Sequence, residues 1–293
     1  MLRILLQTTI PANEDDWHSG RFSLLREQLA LLPEARVTSR DRRPDGDGDD
    51  PVLARLDESD FDELWLFAVD AGDGLTRAES DGINRFYGQG RGLLVTRDHQ
   101  DLGASLCALE RVGAAHYFHT RNPDPDAGRC APDDPETPTI SWPNYHSGAN
   151  GDYQWLETVE PVHPLLVADS LPSGRVRRLP AHPHEGGVGV PPAETHARVI
   201  ARGRSISTGR PFNLVVSFES RNGFGRAVAD SSFHHFVDYN WSLAAGCPTF
   251  VTERPGDGYS KEPDALQDVK ALVRNVALWL AGRGGTSGGL WSC

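Results

Sequence analysis

Phe61-Asp62-Glu63-Leu64-Trp65-Leu66-Phe67-Ala68-Val69, followed by Gly72-Asp73-Gly74-Leu75-Thr76 and then Gly88-Gln89-Gly90-Arg91-Gly92-Leu93-Leu94-Val95, is the stretch on which the fold turns. An apolar run of strand length predicts a strand buried on both faces. Asp73-Gly74 is a turn, and Thr76 with Glu79 has the spacing of a capping box. The helix it opens carries Ile83, Phe86 and Tyr87, and Gly90-Arg91-Gly92 stops it before a second apolar run, Leu93–Thr96. Strand, helix and strand in succession imply a parallel sheet covered by helices.

The pattern extends in both directions. Residues 2–8 form a first strand, Phe22, Leu25, Leu29 and Leu32 recur at helical spacing, and 36–40 reads as a second strand. Residues 41–51 are a solvated loop without the glutamate that a calcium-binding loop needs at its twelfth position. A helix is expected from about Leu102 to Val112. Strands are expected at 197–201, 212–218 and 226–230, and a last helix, from about Pro263 to Ala281, has Leu266, Val269, Leu272, Val273, Val276 and Leu280 on one face. The fold class is therefore α/β, a doubly wound and mainly parallel sheet. Residues 1–283 are expected to form a single domain and 284–293 a flexible tail. Between about 120 and 200 periodicity fades into Pro, Asp, Gly and His. A structureless loop of that length is improbable in a compact domain. This segment is expected to be an ordered, loop-rich insertion capping the sheet edge, packed by Trp142, Tyr145, Tyr153 and Trp155.

The 293 residues carry a net charge of −12, which opposes nucleic acid and anionic membrane as partners. The apolar start at Met1–Leu6 gives way to Thr8, Pro11 and Glu14-Asp15-Asp16, too soon for a signal peptide. Cys107, Cys130, Cys247 and Cys293 form no C-x-x-C pair and no regular spacing, which argues against a zinc ribbon or a disulfide framework. A cytoplasmic location, a small-molecule partner and an oligomeric state left open are the expectations.

The order of the opening segments resembles the ThuA-like, trehalose-utilisation-type proteins, whose fold is that of the class I glutamine amidotransferases, a flavodoxin-like arrangement. Trp17-His18-Ser19 after the first strand is similar to that family's His-containing loop, and Gly225-Arg226-Ala227-Val228 with the His-rich turn after it resembles its closing strand. The likeness spans roughly residues 1–119 and 210–283. True class I amidotransferases place a nucleophilic Cys on a strained turn between strand and helix. Here the turn reads Val95-Thr96-Arg97-Asp98-His99-Gln100-Asp101-Leu102-Gly103. Matching His99-Gln100 and Leu102-Gly103 to the pattern puts Thr96 at the Cys position, and counting from the strand end puts Arg97 there. Neither is a thiol, and Cys107 reads as packing, so glutaminase activity is not expected.

Candidate site residues follow from position. Ligands of open α/β sheets sit at the carboxyl ends of the strands. The 97–100 turn lies there, with Asp98 and His99 as catalytic candidates and Arg97 and Gln100 as substrate-binding ones; the same turn also fits a helix N-cap. The Ser231–Trp241 stretch adds His234 and Asp238 as acid–base candidates, His235 as a metal ligand and Asn240 as a substrate contact, or else a capped helix start with Phe233, Phe236 and Trp241 in the core. In Ala181-His182-Pro183-His184-Glu185, two imidazoles at i, i+2 point the same way, so His182, His184 and Glu185 are candidate ligands for Zn, Fe or Mn. The 141–153 loop, with Trp142, Tyr145 and His146, suits stacking on a sugar-like ligand or its own packing as an Ω-loop. The expected function is an enzyme acting on a small polar, carbohydrate-related metabolite through His/Asp acid–base chemistry, with a divalent metal admitted as cofactor. The alternative is a non-catalytic binding protein on the same scaffold.

Overall fold

The computed structural model describes residues 1–141 and 144–282. Trp142 and the tail from 284 onward lie outside the described residues. The main sheet has eight strands: β1 (Leu2–Thr8), β2 (Ala35–Arg40), β3 (Glu63–Phe67), β4 (Gly92–Thr96), β5 (Glu157–Thr158), β6 (Ala197–Arg204), β7 (Pro211–Phe218) and β8 (Ala227–Asp230). Their spatial order is β2-β1-β3-β4-β8-β7-β6-β5. The pairings from β2 through β8 are parallel and those from β8 to β5 are antiparallel.

Strand alternation divides the core in two. On β3, Trp65 and Phe67 face one side with Ile4, Leu6 and Leu94, where helices α1 (Ser23–Ala30) and α3 (Leu266–Leu280) pack. Leu64 and Leu66 face the other with Leu5, Leu93 and Val95, under helix α2 (Arg77–Gly88). Every residue of β3 and β4 is buried, as apolar runs between two helical layers must be. Helix α2 starts on the capping box: Thr76 Oγ1 accepts from the Glu79 amide at 3.3 Å and Glu79 accepts from the Thr76 amide at 3.1 Å. The Glu79 carboxylate also pairs with Arg42 at 2.8 Å, which ties the 41–51 loop to the helix.

Two expectations change. The helix from Leu102 to Val112 does not form. The stretch makes a 3₁₀ turn at Ala104–Ala108 and another at Gly113–Ala115. Gly103 (φ 86°) and Arg111 (φ 54°) both adopt left-handed backbone, through which a right-handed helix cannot run. The segment 120–200, for its part, does more than lie over an edge, because it supplies the edge strand β5. It also forms two small antiparallel ladders, His116–Tyr117 with Gly187–Val188 and Tyr153–Trp155 with Arg178–Pro180. Leu165, Leu166, Val176 and Leu179 from it are buried in the core beneath α3. Among the described residues no helix is long and apolar enough to cross a membrane.

His116 sits on one of these ladders, fully buried, and neither ring nitrogen makes a hydrogen bond. Burial, helped by the charge of Arg97, holds its pKa down to about 3 from an ordinary 6.5. The folded ring is therefore neutral where the unfolded chain would take up a proton. Its contribution to stability is present above pH 6.5 and is lost as pH falls from there toward 3. His116→Leu should flatten the dependence of unfolding free energy on pH in that window by up to about 1.4 kcal/mol per pH unit, measured by urea titrations at several pH values. An unchanged slope would mean that the folded ring is protonated after all.

Candidate functional site

Strands β1, β3, β4 and β8 end at Thr8, Phe67, Thr96 and Asp230, all on one edge of the sheet. The segments that leave these ends meet residues of the 120–200 segment around a cavity of 520 Å³. Trp17, Phe250 and Val251 give it an apolar side; Asp70 and Asn150 add polar groups. Asp98, His99, His182, His184, His234 and Glu253 also line it.

The turn after β4 is set by Arg97. Its guanidinium is completely buried, donates to the carbonyls of Asp98 and Gln100 and to that of Gly187 at 3.5 Å, and lies 4.0 Å over the Phe118 ring. Burial lowers its pKa to about 9, against the pull of Asp98. Asp98 is thereby presented to the cavity. Its Oδ1 accepts from the His99 amide at 2.7 Å and lies 3.1 Å from His99 Nδ1.

Three buried groups from three different parts of the chain converge at this point. His182 Nδ1 lies 3.8 Å from Asp98 Oδ1, and His234 Nε2 lies 3.7 Å from Asp98 Oδ2. The two imidazoles stack with centroids 3.6 Å apart and planes at 12°. Exposure is 4%, 3% and 3% for Asp98, His182 and His234, so bulk water screens none of these charges well. Nδ1 of both histidines makes no hydrogen bond. Burial works to raise the Asp98 carboxyl, but the neighbouring His99 and His234 outweigh it and hold it well below the usual range. Burial, with His234 alongside, holds the His182 imidazole well below its ordinary value despite Asp98. At the rim, His184 Nε2 lies 3.0 Å from Glu253 Oε1 and its Nδ1 lies 3.3 Å from Asn144 Oδ1. Burial lowers the pKa of His184 too, against the pull of Glu253.

No family model matches the chain, and no curated protein matches it. Among solved structures, a ThuA-like protein from Parabacteroides merdae superposes with a TM-score of 0.53 at 14% identity, covering 98% of this chain and 92% of that one. The mmIFT52 N-terminal domain superposes with a TM-score of 0.50 at 13% identity over 98% of this chain and 99% of that one. The chain shares the α/β fold of that ThuA-like protein. Identities this low show the fold alone.

On this ThuA-like scaffold the other candidates take different places. Glu185 and His235 leave the cavity for a fully buried network behind it. His235 Nδ1 lies 2.7 Å from Asp230 Oδ1 and its Nε2 lies 3.1 Å from Glu185 Oε1. Glu185 further accepts from Ser147 Oγ (3.0 Å), Gln154 Nε2 (2.5 Å) and Ser231 Oγ (2.8 Å). Burial opposes charge on His235, but the two carboxylates raise its pKa to about 10. Pro183 and His184 form a turn, after which Glu185, bridged to Tyr145, enters the network while His182 and His184 line the cavity. Asn240 stands behind the wall, donating to Asn150 Oδ1 at 3.1 Å and the Ala181 carbonyl at 2.9 Å. Gln100 (φ 47°) donates to the Thr139 carbonyl at 3.3 Å and to Ser141 Oγ at 3.4 Å, bridging turn and cap. Tyr145 stacks on Phe212 at 4.7 Å in the core, and His146 is not among the cavity-lining residues. His18 caps the turn Ser19–Phe22, while its neighbour Trp17 reaches the cavity.

Asp70, Glu253 and Phe250 were not singled out from sequence. Asp70 had a signal, since it follows the end of β3 as Asp98 follows β4. It accepts from Thr9 Oγ1 at 2.6 Å and Ser105 Oγ at 3.0 Å. Glu253 stands in a loop without pattern. No described cysteine lines the cavity, and burial pushes the Cys107 thiol up.

Asp238, proposed from sequence as an acid–base residue, serves helix α1 instead. Its carboxylate accepts from Ser23 N at 3.0 Å, Ser23 Oγ at 2.5 Å and Leu24 N at 2.8 Å, where Phe22 at the N-cap offers no side-chain hydrogen bond. Asp238→Ala should cost about 2–3 kcal/mol of stability, read from urea unfolding. A loss below about 0.5 kcal/mol, the level of an ordinary surface substitution, would show that water caps the helix equally well.

Proposed function

We propose that this protein is an enzyme acting on a small polar metabolite of carbohydrate type, and that Asp98, His182 and His234 carry its acid–base chemistry. The supporting observation is the meeting of these three groups, each nearly inaccessible to bulk water, beside a cavity of 520 Å³ at the carboxyl edge of the sheet. A binding protein needs apolar and amide contacts. A buried carboxylate between two imidazoles costs solvation and is of use where protons move. Asp98 orients and balances the imidazoles, and the histidines exchange protons with substrate hydroxyl or carbonyl groups. His184, held by Glu253, and His99 line the approach. Trp17 offers a ring on which the apolar face of a sugar can rest.

Glutamine hydrolysis is not part of this reading, because the resemblance puts Thr96 or, counted from the strand end, Arg97 where the thiol is required, and a 3₁₀ turn follows in place of an α-helix. The test is a panel of sugars, sugar acids and their keto derivatives, with binding followed by thermal shift and turnover by NMR. A substrate turned over by the wild type should be processed roughly 100-fold or more slowly by His234→Ala, and glutamine should release no ammonia above background. Turnover unchanged in both His234→Ala and His182→Ala would overturn the assignment, and so would ligand binding that maps outside the cavity.

A further inference from the structure

We infer that Asp98, His182 and His234 form a binding site for one divalent first-row transition ion. The inference rests on the reading of this cavity as the substrate site and gives that site its cofactor; with an ion held, the coordinating nitrogens of His182 and His234 no longer exchange protons with substrate, and His99 and His184 are the uncoordinated imidazoles lining the cavity.

The geometry is that of a ligand set rather than a hydrogen-bonded one. The carboxylate-to-imidazole distances of 3.8 and 3.7 Å exceed hydrogen-bond reach, and one ligand atom from each of the three residues lies within 4.8 Å of the others. Metal–nitrogen and metal–oxygen bonds of about 2.0–2.2 Å place neighbouring tetrahedral ligands about 3.3–3.6 Å apart. The two gaps run to the two different oxygens of Asp98 and are a few tenths of an ångström wider than that, a difference that side-chain rotation closes. A direct Asp–His pair would have closed one of them, as Asp98 does with the His99 amide at 2.7 Å. The buried Nδ1 of His182 makes no hydrogen bond and faces the carboxylate. Two imidazoles and one carboxylate suit Zn²⁺, Fe²⁺ or Mn²⁺, and three protein ligands leave the ion's remaining positions for an oxygen of substrate or water from the cavity. Parallel rings cannot both aim lone pairs at one ion, so binding turns one imidazole about its Cβ–Cγ bond and breaks the 3.6 Å stack. The surroundings hold the set in place: His99 Nδ1 lies 3.1 Å from Asp98 Oδ1, and the Trp17 ring packs against His234 with centroids 4.8 Å apart.

The experiment uses the full chain, stripped with a chelator. Zn²⁺ and Mn²⁺ binding is measured by calorimetry, and Co²⁺ binding by its visible absorption. One ion per chain at micromolar affinity or tighter is expected, with Co²⁺ bands of nitrogen and oxygen ligation and none of thiolate. Asp98→Asn, which keeps the side-chain shape, and His182→Ala should each weaken binding by roughly 100-fold or more. His146→Ala, outside the cavity, should bind as the wild type does. Thermal melts establish that each variant is folded, and Asp98→Asn decides the matter should His182→Ala fail to fold. No binding to the wild type, or equal binding by Asp98→Asn, overturns the inference. Ion binding without any turnover leaves the site standing and removes the enzymatic reading. Turnover undiminished after chelation does the reverse.

Discussion

The imidazolium of His235, held between Asp230 and Glu185, is the interaction on which the site depends. Asp230 is the last residue of β8, and Glu185 belongs to the segment that covers the sheet edge. One fully buried cation thus joins the sheet to its cover. Burying an ion costs several kcal/mol, recovered only where geometry and further hydrogen bonds are complete. Here Ser147, Gln154 and Ser231 complete them on the Glu185 side, and the Ser232 amide donates to Asp230 at 3.1 Å. With Glu185 fixed inward, the turn before it leaves His182 and His184 lining the cavity. With His235 fixed behind, His234 faces forward and packs on Phe233 and Trp17. Apart from Asp98, which the Arg97 staple sets, the buried trio is placed by a network that never touches the cavity.

That division separates a network whose charges are matched from a cavity whose carboxylate is not. His235 has two carboxylates and stays charged, whereas Asp98 is a buried carboxylate whose adjacent guanidinium, Arg97, is turned away onto backbone carbonyls. Its balancing charge has to come from the histidines around it or from something bound in the cavity. A site in this condition favours a cation over an anion, in spite of the basic residue next in sequence.

The parts of the fold legible in the sequence were those with strong local periodicity. The runs at Glu63–Phe67 and Gly92–Thr96, the Thr76–Glu79 box and the stripe of α3 carry their structure in adjacent residues, and the order of elements carries the sheet. Leu102–Val112 looked helical because its apolar residues are well spaced. The left-handed residues at Gly103 and Arg111 accompany tertiary contacts: the Gly103 amide donates to the Asp70 carbonyl at 2.6 Å and a side chain there would lie 2.9 Å from Ala68 Cβ, while Arg111 pairs with Glu194 at 2.8 Å. In the site, position at a strand end found Asp98 and His234, and i, i+2 spacing found His182 and His184. Adjacency misled at Glu185 and His235, because their neighbours His184 and His234 line the cavity while these two bond into the network behind it. Asp238 and Asn240 were chosen for chemistry, but their partners, Ser23 and Asn150, are distant in sequence.

The 97–103 turn shows how one scaffold can exchange its chemistry. In a thiol-dependent amidotransferase the strand must run into a helix, because the helix N-terminus stabilises the charged sulfur. Here the strand runs into Arg97, whose buried side chain needs acceptors, and the chain satisfies it by curling the carbonyls of residues 98 and 100 around the guanidinium. A chain so curled cannot continue as a helix, and Gln100 at φ 47° marks the departure. The same curl brings Asp98 forward to meet two histidines from elsewhere in the chain. The chemistry at this strand end follows from what Arg97 requires of its own turn.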